Sequence, residues 1–119
     1  MAKFSEKVSI LGTEYRILVK PASALEKNVG GFCDPDLREI HVLDLSTDVD
    51  WDKETARKKD LREKHFLRHE IVHAFFNESG LKANTLWVDA SWAQNEEMVD
   101  WLATQGPKIY AAWKEAGCL

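Results

Sequence analysis

The pattern of apolar and polar positions divides the chain in two. Near the N-terminus, Val8-Ser9-Ile10-Leu11 and Tyr15-Arg16-Ile17-Leu18-Val19 flank Gly12-Thr13-Glu14, which predicts a β-hairpin. Lys20-Pro21 ends it, and Ser23-Ala24-Leu25-Glu26 has capping-box spacing, so a short helical turn should follow. Gly30-Gly31-Phe32-Cys33-Asp34-Pro35-Asp36 reads as a tight turn, and Glu39-Ile40-His41-Val42-Leu43 as a further strand. From about Asp52 to Ser79 there is no Pro or Gly, and Lys, Arg, Glu, Leu and Ala are abundant. This predicts one long helix stopped by Gly80. Its first half is charged. Its second half, Phe66 to Phe76, is apolar nearly all round, with Leu67, Ile71, Ala74 and Phe75 on one side and Phe66, Val72 and Phe76 on the other. Such a helix is expected between two layers. After a loop, Ser91-Trp92-Ala93-Gln94 opens a second helix that should run to about Gln105, with Gly106-Pro107 as its stop and a last short helix over Lys108 to Ala116. Strands first and helices later predict an α+β domain, with a small antiparallel or mixed sheet on one side of the long helix.

The chain has 119 residues, of which 45% are hydrophobic and 30% charged, as expected for a single domain over residues 1–119. With 16 basic and 20 acidic residues the net charge is −4, which argues against general nucleic-acid binding. No apolar run approaches the roughly 20 residues that cross a bilayer, so no membrane partner is expected. Met1 to Lys7 shows no signal-peptide pattern. Cys33 and Cys118 lie far apart and match neither a disulfide framework nor a CxxC site, which favours a cytoplasmic location.

The sharpest chemical signal is His69-Glu70-Ile71-Val72-His73, an HExxH on a predicted helix. Residues four apart lie about 40° apart around the axis and one turn along it, so both imidazoles can converge on one metal ion. Glu70 is rotated about 100° from His69 and is better placed to hold a metal-bound water as general base. The motif sits in the apolar half of the helix, where such polar groups need compensation. A third ligand must come from another element. Asn95-Glu96-Glu97-Met98-Val99-Asp100 supplies Glu96 and Asp100 on one helix face. One can ligate, and the other can accept the N–H of a ligating imidazole.

HEIVH followed by NEEMVD resembles the gluzincin type of zinc metallopeptidase, which pairs HExxH with a downstream NExxxD on a second helix. Its small single-domain members include the ImmA/IrrE-like peptidases and related phage-encoded proteins. The longer string Leu67-Arg68-His69-Glu70-Ile71-Val72-His73-Ala74-Phe75 is also typical of them. The resemblance covers roughly residues 61 to 105. It implies a minimal zincin-like fold, Zn2+ held by His69, His73 and Glu96, Glu70 as general base, Asp100 orienting a ligand imidazole, and hydrolysis of peptide bonds in a protein or peptide substrate. Glu97 is the competing third ligand, and Glu96 is preferred because Asn95 precedes it and Asp100 follows at the matching spacing. Larger members stabilise the oxyanion with a downstream His or Tyr. No His follows His73 here, and Tyr110 reads better as a packing residue. The alternative to an enzyme is a zinc-stabilised interaction module on the same fold, with the same possible phage origin.

Other residues read more simply. His65 is one turn before His69 and could ligate in the absence of Glu96 or bind substrate, but a straight helix puts it about 12 Å along the axis from His73, too far for both to serve one ion easily. His41 reads as an exposed strand residue that could border the substrate cleft, Cys33 as a small buried side chain rather than a thiolate occupying the metal site, and Cys118 as inert. The run Arg57 to Lys64 reads as an ion-paired helix surface. Trp87, Trp92 and Trp101 are expected to pack the second helix on the first, although they could also line a substrate pocket.

Overall fold

The structure is a computed structural model, and it describes residues 3–81 and 95–119. The expected hairpin is present. Strand β1 (Lys7–Ile10) pairs antiparallel with β2 (Thr13–Lys20), with Ile10 opposite Thr13. The two residues between them, Leu11 at φ 50° and Gly12 at φ 86°, take the left-handed conformations that match a hairpin turn to the twist of its strands. A one-turn 3-10 helix at Ala22–Ala24 follows, but its N-cap is Pro21, so the capping box at Ser23 is not formed.

The segment expected as a tight turn contains a strand. β3 (Gly31–Asp34) lies antiparallel to β4 (Glu39–Leu43), and the reversal falls at residues 35–38. There the Asp34 carboxylate accepts the N–H groups of Asp36 and Leu37, both at 3.0 Å. Gly31 lies so close to β4 that a β-carbon would collide with the His41 carbonyl oxygen. A four-residue strand opened by glycine carries almost no alternation, which is why the pattern hid it. β4 in turn pairs parallel with β2, giving a mixed four-stranded sheet in the order β1-β2-β4-β3.

One face of the sheet, with Ile10, Tyr15, Ile40 and Val42 fully buried, packs on helix α1 (Ala56–Glu78) through Phe66, Leu67, Ile71 and Ala74. The helix starts later than expected. Asp52 ends a 3-10 turn at Val49–Trp51, and Thr55 is the N-cap, accepting the Lys58 N–H at 3.1 Å. Its C-terminus closes at Gly80, φ 81°, with the Leu81 N–H on the Phe76 carbonyl at 3.2 Å. The two apolar sides are partitioned differently from expectation: Phe66 joins the core, and Phe75 is 41% exposed. Two polar ties fasten α1. The Tyr15 hydroxyl donates to Glu78 at 2.6 Å, and burial together with that bond pushes the phenol pKa up. Glu63 is buried, accepts the Leu45 N–H at 2.7 Å and pairs with Lys3.

The second helix, α2 (Glu96–Ala116), is one element where two were expected, and it continues unbroken past Pro107. Asn95 caps it, accepting the Met98 N–H at 2.8 Å. Proline removes the N–H that would bond the carbonyl four residues back, here that of Ala103. The Arg68 side chain fills the vacancy, donating Nε–H to the Ala103 oxygen at 2.9 Å. A guanidinium from α1 therefore satisfies a buried carbonyl that would otherwise mark a helix end. Arg68→Ala should cost about 1–2 kcal/mol for the orphaned carbonyl. In a Pro107→Ala background, where the backbone N–H returns, that cost should shrink by about 1 kcal/mol. Denaturant unfolding of the four proteins measures this coupling, and additive effects would rule the compensation out.

Val99 and Ala103 are the buried residues of α2, while Trp101 is 55% exposed and does not pack α2 on α1 as expected. Trp87, Trp92, the Ser91 cap and the loop leading to it lie outside the described residues. Among the described residues the architecture is α+β, a small mixed sheet and two helices, and no helix is long and apolar enough to cross a membrane.

Candidate metal centre

His69 and His73 sit one turn apart on the face of α1 that meets the first turn of α2. Their rings meet edge to face with centroids 5.0 Å apart. Glu96 approaches from α2 and reaches both: Oε2 is 2.9 Å from His69 Nε2, and Oε1 is 2.8 Å from His73 Nε2. One donor atom from each of the three residues lies within 4.8 Å of the others. Glu97, the neighbouring candidate, is exposed and outside this group.

The protons at His69 make the arrangement chemically pointed. Its Nδ1 lies 3.0 Å from Asp100 Oδ1 while its Nε2 faces Glu96. A neutral imidazole has one N–H and cannot satisfy two carboxylates. Either His69 carries a second proton, or a cation takes that proton's place on Nε2. Burial opposes the charged ring, but Asp100, Glu70 and Glu96 outweigh it and raise the His69 pKa. Burial likewise works against the Asp100 carboxylate, but the hydrogen bonds from His65 and His69 prevail and lower its pKa. The donor set fits a divalent ion. Zinc at about 2.0–2.1 Å from each ligand holds tetrahedral donors about 3.3 Å apart. The side chain of Glu96 is 70% exposed, which leaves it room to draw back by the difference.

Glu70 is outside the donor group. It is 6% exposed, with Oε2 4.0 Å from His69 Nε2. Burial first, and repulsion from Glu96 in addition, push its pKa up to about 7 against the attraction of His69. Gly31 leaves this position room, since a β-carbon there would lie 3.3 Å from Glu70 Cγ and press on it. A cleft of about 390 Å³ opens beside the centre, lined by Glu70, His73, Glu96, Phe32, Cys33 and Asn77 among others.

Three residues enter the site that the sequence reading did not place there. His65 contributes no donor atom to the ion group, but its Nε2 lies 2.7 Å from Asp100 Oδ1, so Asp100 is held between His65 and His69. The regular i, i+4, i+8 spacing of the histidines was the available signal. Asn77, one turn beyond His73, lines the cleft and donates to Cys33 Sγ at 3.8 Å. Gly31 gave no signal beyond its neighbour Gly30. Cys33 packs against the core, half-buried, and also faces the cleft. His41 is half-buried rather than exposed, stacked on Phe32 at 4.2 Å and 3.1 Å from Glu39, out of line with Ile40 and Val42 that face α1. Tyr110 is exposed and roughly 20 Å along α2 from Glu96. Cys118 is exposed.

If a divalent ion occupies this group, His65→Ala should weaken its binding about tenfold by loosening Asp100, at the lower end of what outer contacts to a ligand contribute. Competition with a chromophoric chelator reads this. Unchanged affinity would mean that His69 alone fixes the carboxylate.

Comparisons with protein-family models, with curated proteins and with solved structures give no match.

Proposed function

We propose that this chain is a small zinc-dependent endopeptidase of the gluzincin type, with a minimal zincin-like fold, acting on a polypeptide substrate. The observation that carries the reading is the convergence of His69 Nε2, His73 Nε2 and the Glu96 carboxylate beside a buried, uncoordinated Glu70. Bound zinc supplies Lewis acidity toward a peptide carbonyl and lowers the pKa of water toward about 7. His69, His73 and Glu96 hold it, and Asp100 accepts the Nδ1 proton of His69 and so leaves Nε2 as the donor. Glu70, buried beside the donor group and not part of it, is placed for both halves of the proton traffic: it takes a proton from the attacking water and returns it to the leaving amine. The cytoplasmic, possibly phage-related setting rests on the resemblance of HEIVH and NEEMVD alone.

A module that merely holds zinc has no use for a buried carboxylate next to the ion, which favours the enzyme over a binding domain. The test is digestion of a proteome-derived peptide library by the zinc-loaded protein, read by mass spectrometry, with a chelated control. Zinc-dependent cleavage is expected. Glu96→Ala should abolish both cleavage and stoichiometric zinc, and Glu97→Ala should leave zinc content intact. The reverse order would move the third ligand by one residue. Zinc binding without cleavage of any peptide would return the chain to the interaction-module reading.

A further inference from the structure

We propose that the cleft selects polypeptides bearing an acidic side chain about three residues from the bond that is cut, and that Arg62 reads this side chain. The inference rests on the peptidase reading above and adds the class of substrate.

The cleft does not end at the metal group. A second hollow shares Val29, Gly31, Glu70 and Glu96 with the first and continues along α1 past His69 and His65 to Arg62. The two ends differ in charge. Among the described residues, the walls beyond His73 are Phe32, Cys33 and Asn77, without a charged group, while the other end reaches a guanidinium. Beyond Arg62 and His65 a further shallow groove adds Lys58, Lys64 and Arg68.

Of these cations, most are already engaged. Lys58 pairs with Glu54 at 2.9 Å, Lys64 with Asp60 at 3.0 Å, and Arg68 donates to Ala103. Arg62 is exposed and, among the described residues, has no hydrogen-bond or ion-pair partner. The hollow also holds three carboxylates, Glu70, Glu96 and Asp100, and two of them are taken, Glu96 by His69 and His73 and Asp100 by His65 and His69. Arg62 precedes His69 by two turns, about 10 Å along the axis, and an extended chain advances about 3.3 Å per residue. The guanidinium therefore meets a side chain about three residues from the scissile bond. A phosphate polymer is the poorer occupant, since a net charge of −4 repels it elsewhere on the surface.

The experiment uses the zinc-loaded full chain at low ionic strength, where an exposed pair is least screened. Library digestion should show Asp and Glu enriched about three positions to one side of the cut. Matched peptides with Asp or Asn at that position should differ about threefold in kcat/KM, as for an exposed ion pair. The ratio should fall to about one in Arg62→Gln and invert in favour of Lys in Arg62→Glu. Cleavage with no acidic preference, or a preference that survives Arg62→Gln, overturns the inference and leaves the peptidase reading standing. Should no peptide be cut, the peptidase reading fails, and fluorescence anisotropy of labelled hexaglutamate and hexaglutamine decides the recognition. Tighter hexaglutamate binding to wild type than to Arg62→Glu supports it, and equal binding overturns it.

Discussion

On the peptidase reading, a Glu70→Gln protein should keep one zinc per chain and lose about a thousandfold in kcat. The magnitude follows from a group used twice, since a single positioned acid or base contributes about 10²–10⁴-fold. Glutamine preserves the shape that packs against Gly31 and leaves His69, His73 and Glu96 untouched, so the loss separates chemistry from metal binding. The same substitution should act oppositely on the metal-free fold. A carboxyl whose folded pKa stands near 7 against an ordinary 4.5 binds its proton more tightly in the native state. Stability is then highest below the unfolded pKa and falls as pH rises from about 4.5 to about 7. The loss is of order 3 kcal/mol. Glu70→Gln removes that dependence, so at pH 8 the zinc-free variant should outlast wild type in urea, while at pH 4 the two should coincide. A variant less stable than wild type at pH 8 would show that the carboxylate is welcome where it sits.

His73→Ala is expected to bind no stoichiometric zinc, and with it to lose the thermal protection that a bound ion would confer. An ion binding only the native chain at a thousand times its dissociation constant stabilises by about 4 kcal/mol. For a chain of this size that is about 15 °C in Tm. Wild type should show this rise on titration with zinc, and His73→Ala none. Elemental analysis after dialysis gives the stoichiometry independently. If the variant retained one ion per chain, Glu96 would have to hold it with other partners, and the centre drawn above would be wrong.

How much of this could be read from residues alone depended on the range of the force at work. The hairpin turn was legible because Gly12 announces it. The Gly80 stop was legible because the αL cap needs it locally. His69, Glu70 and His73 were legible because one helix fixes their mutual geometry. What escaped reading was settled by partners distant in the chain. Strand β3 exists because Gly31 can approach β4. α2 continues past Pro107 because Arg68, from another helix, supplies a donor. Trp101 lies outward because the face that buries was set by Val99 and Ala103. His65 was set aside on the argument that it lies too far away to be a ligand, and that distance did not bar a contact through Asp100.

The Arg68 contact ties two parts of the molecule whose fates would otherwise be separate. Arg68 is next to His69, and Ala103 is three residues from Asp100, so the strut that lets α2 tolerate Pro107 also aligns the elements that carry His69, His73 and Glu96. In a randomised library, positions 68 and 107 should accordingly behave as a pair. Genotypes with proline but no long donor at 68 should be depleted, and an alanine at 107 should release the other site to vary.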